Sequence, residues 1–384
     1  MTIKRLVLLW PSYAHYRIPV FEKLNKEVGD GFNVITLQNP MRSSIERLDP
    51  SEAGNFQRIL IKGKSIGFGK FEQGLETPGR IIITPTLPYT LASLKPDVII
   101  SDTFSVWTLT SILMGYKTIV LWEGTTHTER TLKPWKKRIR QWMTKRLKAF
   151  ITNGKLSKQY LIDVMNAPED KIVMGGMCGG QPPAEIVAQI ANRKIENDQP
   201  IRFVFSGQLI GRKGVTHLLQ ATAILKNKIG NQGNFEVLLL GDGSDRQELE
   251  NQAQQLNITD KVTFAGYVNP NQIWEYYTKS HVFVLPTLHD NWPLVVPEAM
   301  SVGLPILLSK YAGSVPDLIK IDENGYIFDP NDHEELANLM AKYIENPSLI
   351  QKHGQHSLEI VVPYNPEKVA EVMMSATKIA MNLT

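Results

Sequence analysis

A single cysteine, Cys178, occurs in 384 residues, which excludes an internal disulfide framework and any zinc site built on a cysteine cluster. Neither charge is in excess. Lys and Arg number 42 against 38 Asp and Glu, a net +4 that is too even for nucleic-acid binding by bulk charge, so no nucleic-acid partner is expected. Long apolar runs are missing as well. Leu6–Trp10 falls far short of a membrane span, and its break at Pro11 leaves it too short for a signal peptide. The expected compartment is the cytoplasm.

Several catalytic patterns are absent or incomplete. Gly63-Lys64-Ser65 resembles the tail of a P-loop, but the first glycine position holds Arg58. The same stretch spells G-x-S-x-G, yet Phe68-Gly69-Lys70 does not open a helix, as a nucleophile elbow requires. Gly241-Asp242-Gly243 begins like a dinucleotide fingerprint, but Arg246 stands at the third glycine. No H-E-x-x-H occurs, and no D-x-D that would hold a metal for a sugar nucleotide. No metal and no cofactor are expected.

What is present is ample apolar material: 42% hydrophobic residues against 21% charged, enough for two or three cores at about 150 residues per domain. Leu6–Trp10, Phe32–Leu37, Ile81–Ile83, Asp97–Ile100, Thr118–Trp122 and Ala149–Thr152 read as strands. Ile18–Lys26, Val106–Met114 and Ser157–Met165 read as helices between them. Runs apolar on both faces require a parallel sheet covered by helices. Residues 175–200, with Gly-Gly, Pro182-Pro183 and the charged Arg193–Asp198, read as a break containing the helix-like Ala184–Ile190. The alternation then repeats through strands Phe203–Ser206, Val237–Leu240, Val262–Phe264, Val282–Leu285 and Ile306–Leu308. Helices Val215–Lys226, Arg246–Gln255, Pro270–Tyr277 and Val296–Val302 fall between. The fold class read from this is α/β, two Rossmann-like doubly wound domains facing across a cleft. Domain one is 1–180, a linker 181–200, domain two 201–365, and a last helix covers 366–384.

Three clusters carry chemistry. Ser206-Gly207-Gln208-Leu209-Ile210-Gly211-Arg212-Lys213-Gly214 joins a strand to a helix. Glycines let backbone approach a ligand, and helix-start N–H groups with two cations suit a pyrophosphate. The alternative is a solvated turn with two exposed cations. Gly241-Asp242-Gly243-Ser244 is a second such turn, and alone it is turn chemistry. The third runs Pro286 to Met300. Asp290 sits beyond a strand's carboxyl end and Glu298 in the first turn of the next helix, where carboxylates accept hydrogen bonds from diols. The alternative is a turn cap and a helix-start acid.

At these residues the chain resembles the GT-B glycosyltransferases, specifically the retaining enzymes of glycosyltransferase family 4. The resemblance rests on Gly207-Gln208-Leu209 with Lys213-Gly214, on Gly241-Asp242-Gly243, on Asp290 seven residues before Glu298, and on Pro297-Glu298-Ala299-Met300-Ser301-Val302-Gly303-Leu304-Pro305-Ile306. Phe264-Ala265-Gly266-Tyr267-Val268, Gly313–Asp317 and Asn324-Gly325-Tyr326 fit as well. It implies transfer of a sugar from a nucleoside diphosphate to an acceptor hydroxyl with retention, in envelope polysaccharide or glycolipid assembly. Lys213, with Arg212, would bind the diphosphate. Glu298 would bind ribose, Tyr267 and Val268 would line the nucleobase, and Asp290 would contact the transferred sugar. Asn291, Trp292, Pro293 and Leu294 would hold sugar or phosphate, beside Gly207 and Gly241. The helix Pro366–Met381 would cross back to the first domain.

Two departures stand out: Gln208 replaces the family's arginine, and Asp290 is one methylene shorter than its glutamate. The first domain follows the family pattern less well. Its loop Pro11-Ser12-Tyr13-Ala14-His15-Tyr16-Arg17 places Tyr13, His15 and Arg17 on the acceptor side. Glu123, after the strand Thr118–Trp122, stands where many relatives carry a histidine and is the catalytic candidate there, with His127 nearby on the acceptor side or an ordinary loop histidine. The partners implied are a nucleotide sugar and a sugar or lipid-linked acceptor.

One further stretch stands apart. Lys133–Lys148 contains eight cations, no acid, and Trp135, Ile139, Trp142, Met143 and Leu147 at helical spacing. Such a helix suits an anionic membrane surface, on the inner face of the cell membrane, or packs its stripe on the domain with a solvated basic face. The other function classes left open are a non-catalytic sugar-nucleotide-binding homologue and an NAD-dependent oxidoreductase.

Overall fold

Strands apolar on both sides must be covered on both sides, and that requirement shapes each half of the chain. The structure, a computed structural model, describes residues 3–11, 15–38, 54–68, 79–191, 199–230 and 234–383. They divide into two units. The first holds the described residues up to Cys178 together with those from Tyr364 onward, and the second holds Gly179–Pro363.

The first unit runs β1 (Leu6–Leu9), α1 (Ile18–Val28), β2 (Phe32–Leu37), β3 (Gln57–Ile61), β4 (Lys64–Phe68), β5 (Gly79–Ile83), α2 (Leu87–Leu94) and β6 (Val98–Ser101). It continues through α3 (Val106–Leu113), β7 (Thr118–Trp122), α4 (Pro134–Thr144), β8 (Ala149–Thr152), α5 (Lys155–Asp163) and β9 (Ile172–Met174). Seven of these strands form one parallel sheet in the order β3-β2-β1-β6-β7-β8-β9.

The second unit runs α6 (Ala184–Ala191), β10 (Ile201–Ser206), α7 (Val215–Ile229), β11 (Phe235–Leu240), α8 (Arg246–Gln255), β12 (Val262–Gly266), α9 (Ile273–Thr278) and β13 (Val282–Leu285). After it come α10 (Val295–Ser301), β14 (Ile306–Ser309), α11 (Val315–Leu318), β15 (Gly325–Phe328), α12 (His333–Glu345) and α13 (Ser348–Val361). Its six strands are all parallel, in the order β12-β11-β10-β13-β14-β15. In both sheets the order reverses beside the first strand, the doubly wound pattern whose switch point opens a crevice at the strands' carboxyl ends.

The chain then returns to the first unit as α14 (Pro366–Met381). Asn365 caps it by accepting the Lys368 N–H at 2.8 Å, with Pro366 at the first helical position. Period-2 alternation explains why α14 belongs there. Leu6 and Leu8 of β1 face Phe21 and Leu24 of α1 and Val369, Ala370, Met373 and Ala376 of α14, while Val7 and Leu9 face Leu87, Leu91 and Trp107 on the other side. Ala370 and Ala376 keep α14 close to the sheet.

Several readings from sequence need correction. Ile81–Ile83 is not a strand of the parallel sheet: β5 pairs antiparallel with β4 in a separate two-stranded ribbon. Ile66, Ile81 and Ile83 are exposed there, so the two-sided burial a parallel strand needs is missing. Strands β3, β9 and β15 and helices α2, α12 and α13 also escaped notice. Asp97 lies just outside β6 because its carboxylate accepts the N–H groups of Lys4 and Arg5 at 3.0 and 2.9 Å. The charged stretch Arg193–Asp198 lies outside the described residues. Among the described residues no helix is long and apolar enough to cross a membrane.

Met373, fully buried in α14, should cost about 2–5 kcal/mol when replaced by Ala. Urea unfolding checks this, with Lys378→Ala on the same helix expected to stay near wild type.

Candidate functional site

The switch point of the second sheet lies between β10 and β13, so the loops after those two strands meet. A left-handed glycine makes the meeting tight: Gly214 has φ 70°, and a Cβ there would overlap the Pro286 carbonyl oxygen. Backbone bonds close the junction. Leu288 N–H donates to the Arg212 carbonyl at 2.8 Å, and the Thr287 hydroxyl donates to the same oxygen at 3.0 Å. Arg212 in turn donates to the His289 carbonyl at 3.2 Å.

This junction delivers Lys213 to Asp290. The ammonium lies 2.6 Å from Oδ2, and the Arg212 guanidinium lies 3.6 Å from the same oxygen. The Lys213 and Asp290 side chains are only 11% and 12% exposed. Two cations therefore share one carboxylate in a partly dried pocket, which leaves positive charge in excess.

Beside them runs a layer of bare backbone. Gly207 N–H donates to Leu240 O at 3.0 Å, and Gly241 N–H donates to Gly266 O at 2.8 Å. Gly241 has φ 136°, and any Cβ would strike the Gly207 carbonyl. Gln208, the residue that replaces an arginine in the family pattern, is exposed here. Tyr267 and Val268 follow β12, directly after Gly266, with Tyr267 half-exposed.

The β13 loop is also tied to the loop after β14. Gly313 N–H donates to the Asp290 carbonyl at 2.9 Å. Asn291 Oδ1 and Ser314 Oγ are buried there without a hydrogen-bond partner, as expected where a ligand's polar groups complete the site. Trp292 and Pro293 are buried, and Leu294 leads into α10.

Glu298, on α10, has a different partner from Asp290. Its Oε1 accepts the Gly180 N–H at 3.0 Å, and Trp274 and Gly179 pack beside it. Burial pushes its carboxyl up to about 7, only partly offset by the Gly180 bond. Nothing in the linear spacing announces this contact, since the two residues are 118 apart. The pair of carboxylates read from sequence is therefore one salt-bridged and one enclosed acid.

In the first unit, Arg17 is expected on the acceptor side. It is fully buried. Its guanidinium donates to the Gly176 carbonyl at 2.5 Å and stacks 5.1 Å over Trp10. It also lies 3.8 Å from Glu123, whose side chain stays 32% exposed at the carboxyl end of β7. Arg17 thus reaches Glu123 rather than solvent. His127 is half-buried in the same loop, and its carbonyl accepts from Arg130 at 2.7 Å. His15 opens a single helical turn, and Tyr13 lies outside the described residues. Sequence reading missed Thr152 Oγ1 and the Asn153 amide, all buried without a hydrogen-bond partner at the carboxyl end of β8.

The raised Glu298 carboxyl has a consequence for stability. In the unfolded chain it titrates near 4.5, the ordinary value for a glutamate, so as pH rises from there to about 7 the unfolded state loses its proton first and stability falls. Glu298→Gln should remove that fall, as read by urea unfolding across the window. An unchanged slope would contradict the buried-acid assignment.

Residues 187–358 match the family profile described as "Glycosyl transferases group 1". An uncharacterised glycosyltransferase of Haemophilus influenzae is 32% identical over 43% of this chain and 45% of its own length. The lipopolysaccharide 1,6-galactosyltransferase of Escherichia coli is 28% identical over 39% of this chain and 41% of its own. The chain spans about half the length of the curated relatives it matches. Among solved structures, Anabaena Alr3699/HepE in complex with UDP superposes with a TM-score of 0.74, covering 97% of this chain and 99% of that one at 15% identity, a likeness of fold. Residues 187–358, less than half of the chain, are thus similar to the glycosyl transferases group 1 family.

Proposed function

We propose that the chain is a retaining glycosyltransferase of family 4 that moves a sugar from a nucleoside diphosphate to an acceptor hydroxyl in envelope polysaccharide or glycolipid assembly. The observation that carries this is the shared carboxylate of Asp290, held by Lys213 and Arg212 at the switch point of the second sheet. A diphosphate outcompetes one carboxylate for two cations, because it brings more charge and more acceptor oxygens. The UDP bound in the structural relative and the lipopolysaccharide substrate in the curated one support the ligand class and the pathway type.

In this reading Lys213, Arg212 and the amides of Asn291–Leu294 stabilise the leaving diphosphate as the anomeric C–O bond breaks. Released from Lys213, Asp290 accepts hydrogen bonds from the sugar's hydroxyls. Glu298 accepts from the ribose, with Tyr267 and Val268 at the base. The acceptor oxygen bonds to the anomeric carbon on the face the phosphate leaves, and its proton passes to a phosphate oxygen. No protein nucleophile is needed. Glu123, oriented by Arg17, and His15 and His127 belong to the acceptor side.

Lys213→Ala and Glu298→Gln should each lower kcat/KM by about 10²–10³ with the fold intact, read by release of free diphosphate over a panel of nucleotide sugars. Near-normal turnover in either would refute the assigned site. UDP or GDP at about 100 times its Kd should stabilise the wild-type chain by about 2.7 kcal/mol. Stabilisation without turnover on any donor would leave a non-catalytic binding homologue instead.

A further inference from the structure

Helix α4 separates its charges and apolar groups in a way its sequence does not reveal. Met143 and Leu147, at the end of the basic stretch, are buried, and Leu147 joins Val120, Trp122, Phe150 and Tyr160 in the first unit's core. Arg140 also turns inward. It pairs with Glu129 at 2.6 Å and stacks 4.8 Å over Trp122. Gln141 donates to the Val164 carbonyl at 2.9 Å. These contacts pin the helix and fix which face it presents.

The outward face carries Trp135, Ile139 and Trp142, which are 54%, 45% and 37% exposed. Their spacing, i, i+4 and i+7, places them in one row along the helix. Cations flank the row. Lys133, Lys136, Arg138, Lys145, Arg146 and Lys148 are all exposed. The Lys136 ammonium lies 5.7 Å from the Trp135 ring centroid, and the Arg146 guanidinium 3.8 Å from that of Trp142. The charge is local. Residues 133–148 hold eight cations and no acid, whereas the remaining residues hold 34 cations against 38 acids.

We infer that this face of α4 seats the first unit on an anionic lipid bilayer. The two tryptophans and Ile139 enter the headgroup level, and the flanking cations meet lipid phosphates. Charge complementarity selects this occupant: the protein surface away from the patch is net negative and is repelled by the same lipids. Tryptophan suits the interface because its ring is apolar and its N–H stays hydrated. A single inserted row on a folded unit gives reversible binding that weakens with salt. Arg140 takes no part, because Glu129 and Trp122 already hold it.

The test is co-sedimentation of the full chain with phosphatidylcholine vesicles, with and without phosphatidylglycerol, at low and high salt. Binding is expected only to the anionic vesicles, to fall with salt, and to shift the tryptophan emission to the blue. Lys136→Glu with Arg138→Glu, and separately Trp135→Ser with Ile139→Ser, should each weaken partition by about tenfold or more. The thermal midpoint and its response to UDP should not change, which separates this inference from the donor reading. Equal binding to neutral vesicles, no binding to either, or variants that partition like the wild type would overturn it. So would sedimentation showing that the same variants dissociate a dimer, which would assign the face to a second copy.

Discussion

Lys213 and Asp290 meet only because β10 and β13 are neighbours in the second sheet. That contact is the constraint from which the rest of the site follows. A largely buried ion pair contributes little to stability, since desolvating two charges offsets most of their attraction. Its value lies in exchange. With Arg212 on the same carboxylate, the pair holds two cations ready for an anion of higher charge and keeps Asp290 oriented until that anion arrives. Gly214 and Gly241 serve the same end, because side chains at either would push the β10, β11 and β13 loops apart.

The apolar and polar demands of the chain are segregated along its strands. The middles of β1, β7, β8, β10, β13 and β14 are apolar on both sides, and the carboxyl ends of β8, β13 and β14 gather groups that the fold leaves unsatisfied. Asn291 and Ser314 do so in the second unit, and Thr152 and Asn153 in the first. Glu298, on α10, has one backbone bond where those groups have none. A carboxyl raised by burial and held by one backbone N–H is stable as an acid and gains partners when hydroxyls enter. Buried polar groups without partners are tolerated where a ligand supplies them.

The parallel strands were legible in the sequence because burial on both faces leaves an unbroken apolar run, as in Leu6–Leu9 and Val282–Leu285. The β4–β5 ribbon misled because Ile81–Ile83 is equally apolar but half-exposed. Edge strand β3 opens on the polar Gln57 and Arg58, and β9 is only three residues long, so neither gave a signal. The residue types at the site could be listed from spacing and resemblance, but not their partners. Lys213 finds Asp290 across 77 residues and Gly180 finds Glu298 across 118. Only topology brings such pairs together. In α4 the spacing showed one apolar stripe, and tertiary packing divided it into a buried end and an outward row.

The central proposal is that Asp290 occupies Lys213 until a diphosphate displaces it. The most direct measurement is the calorimetric affinity of UDP for Asp290→Asn beside its transfer rate. Removing the competing charge should tighten UDP binding above wild type while sugar transfer is lost, because UDP lacks the sugar that Asp290 would hold. Weaker UDP binding in Asp290→Asn, in step with Lys213→Ala, would contradict it.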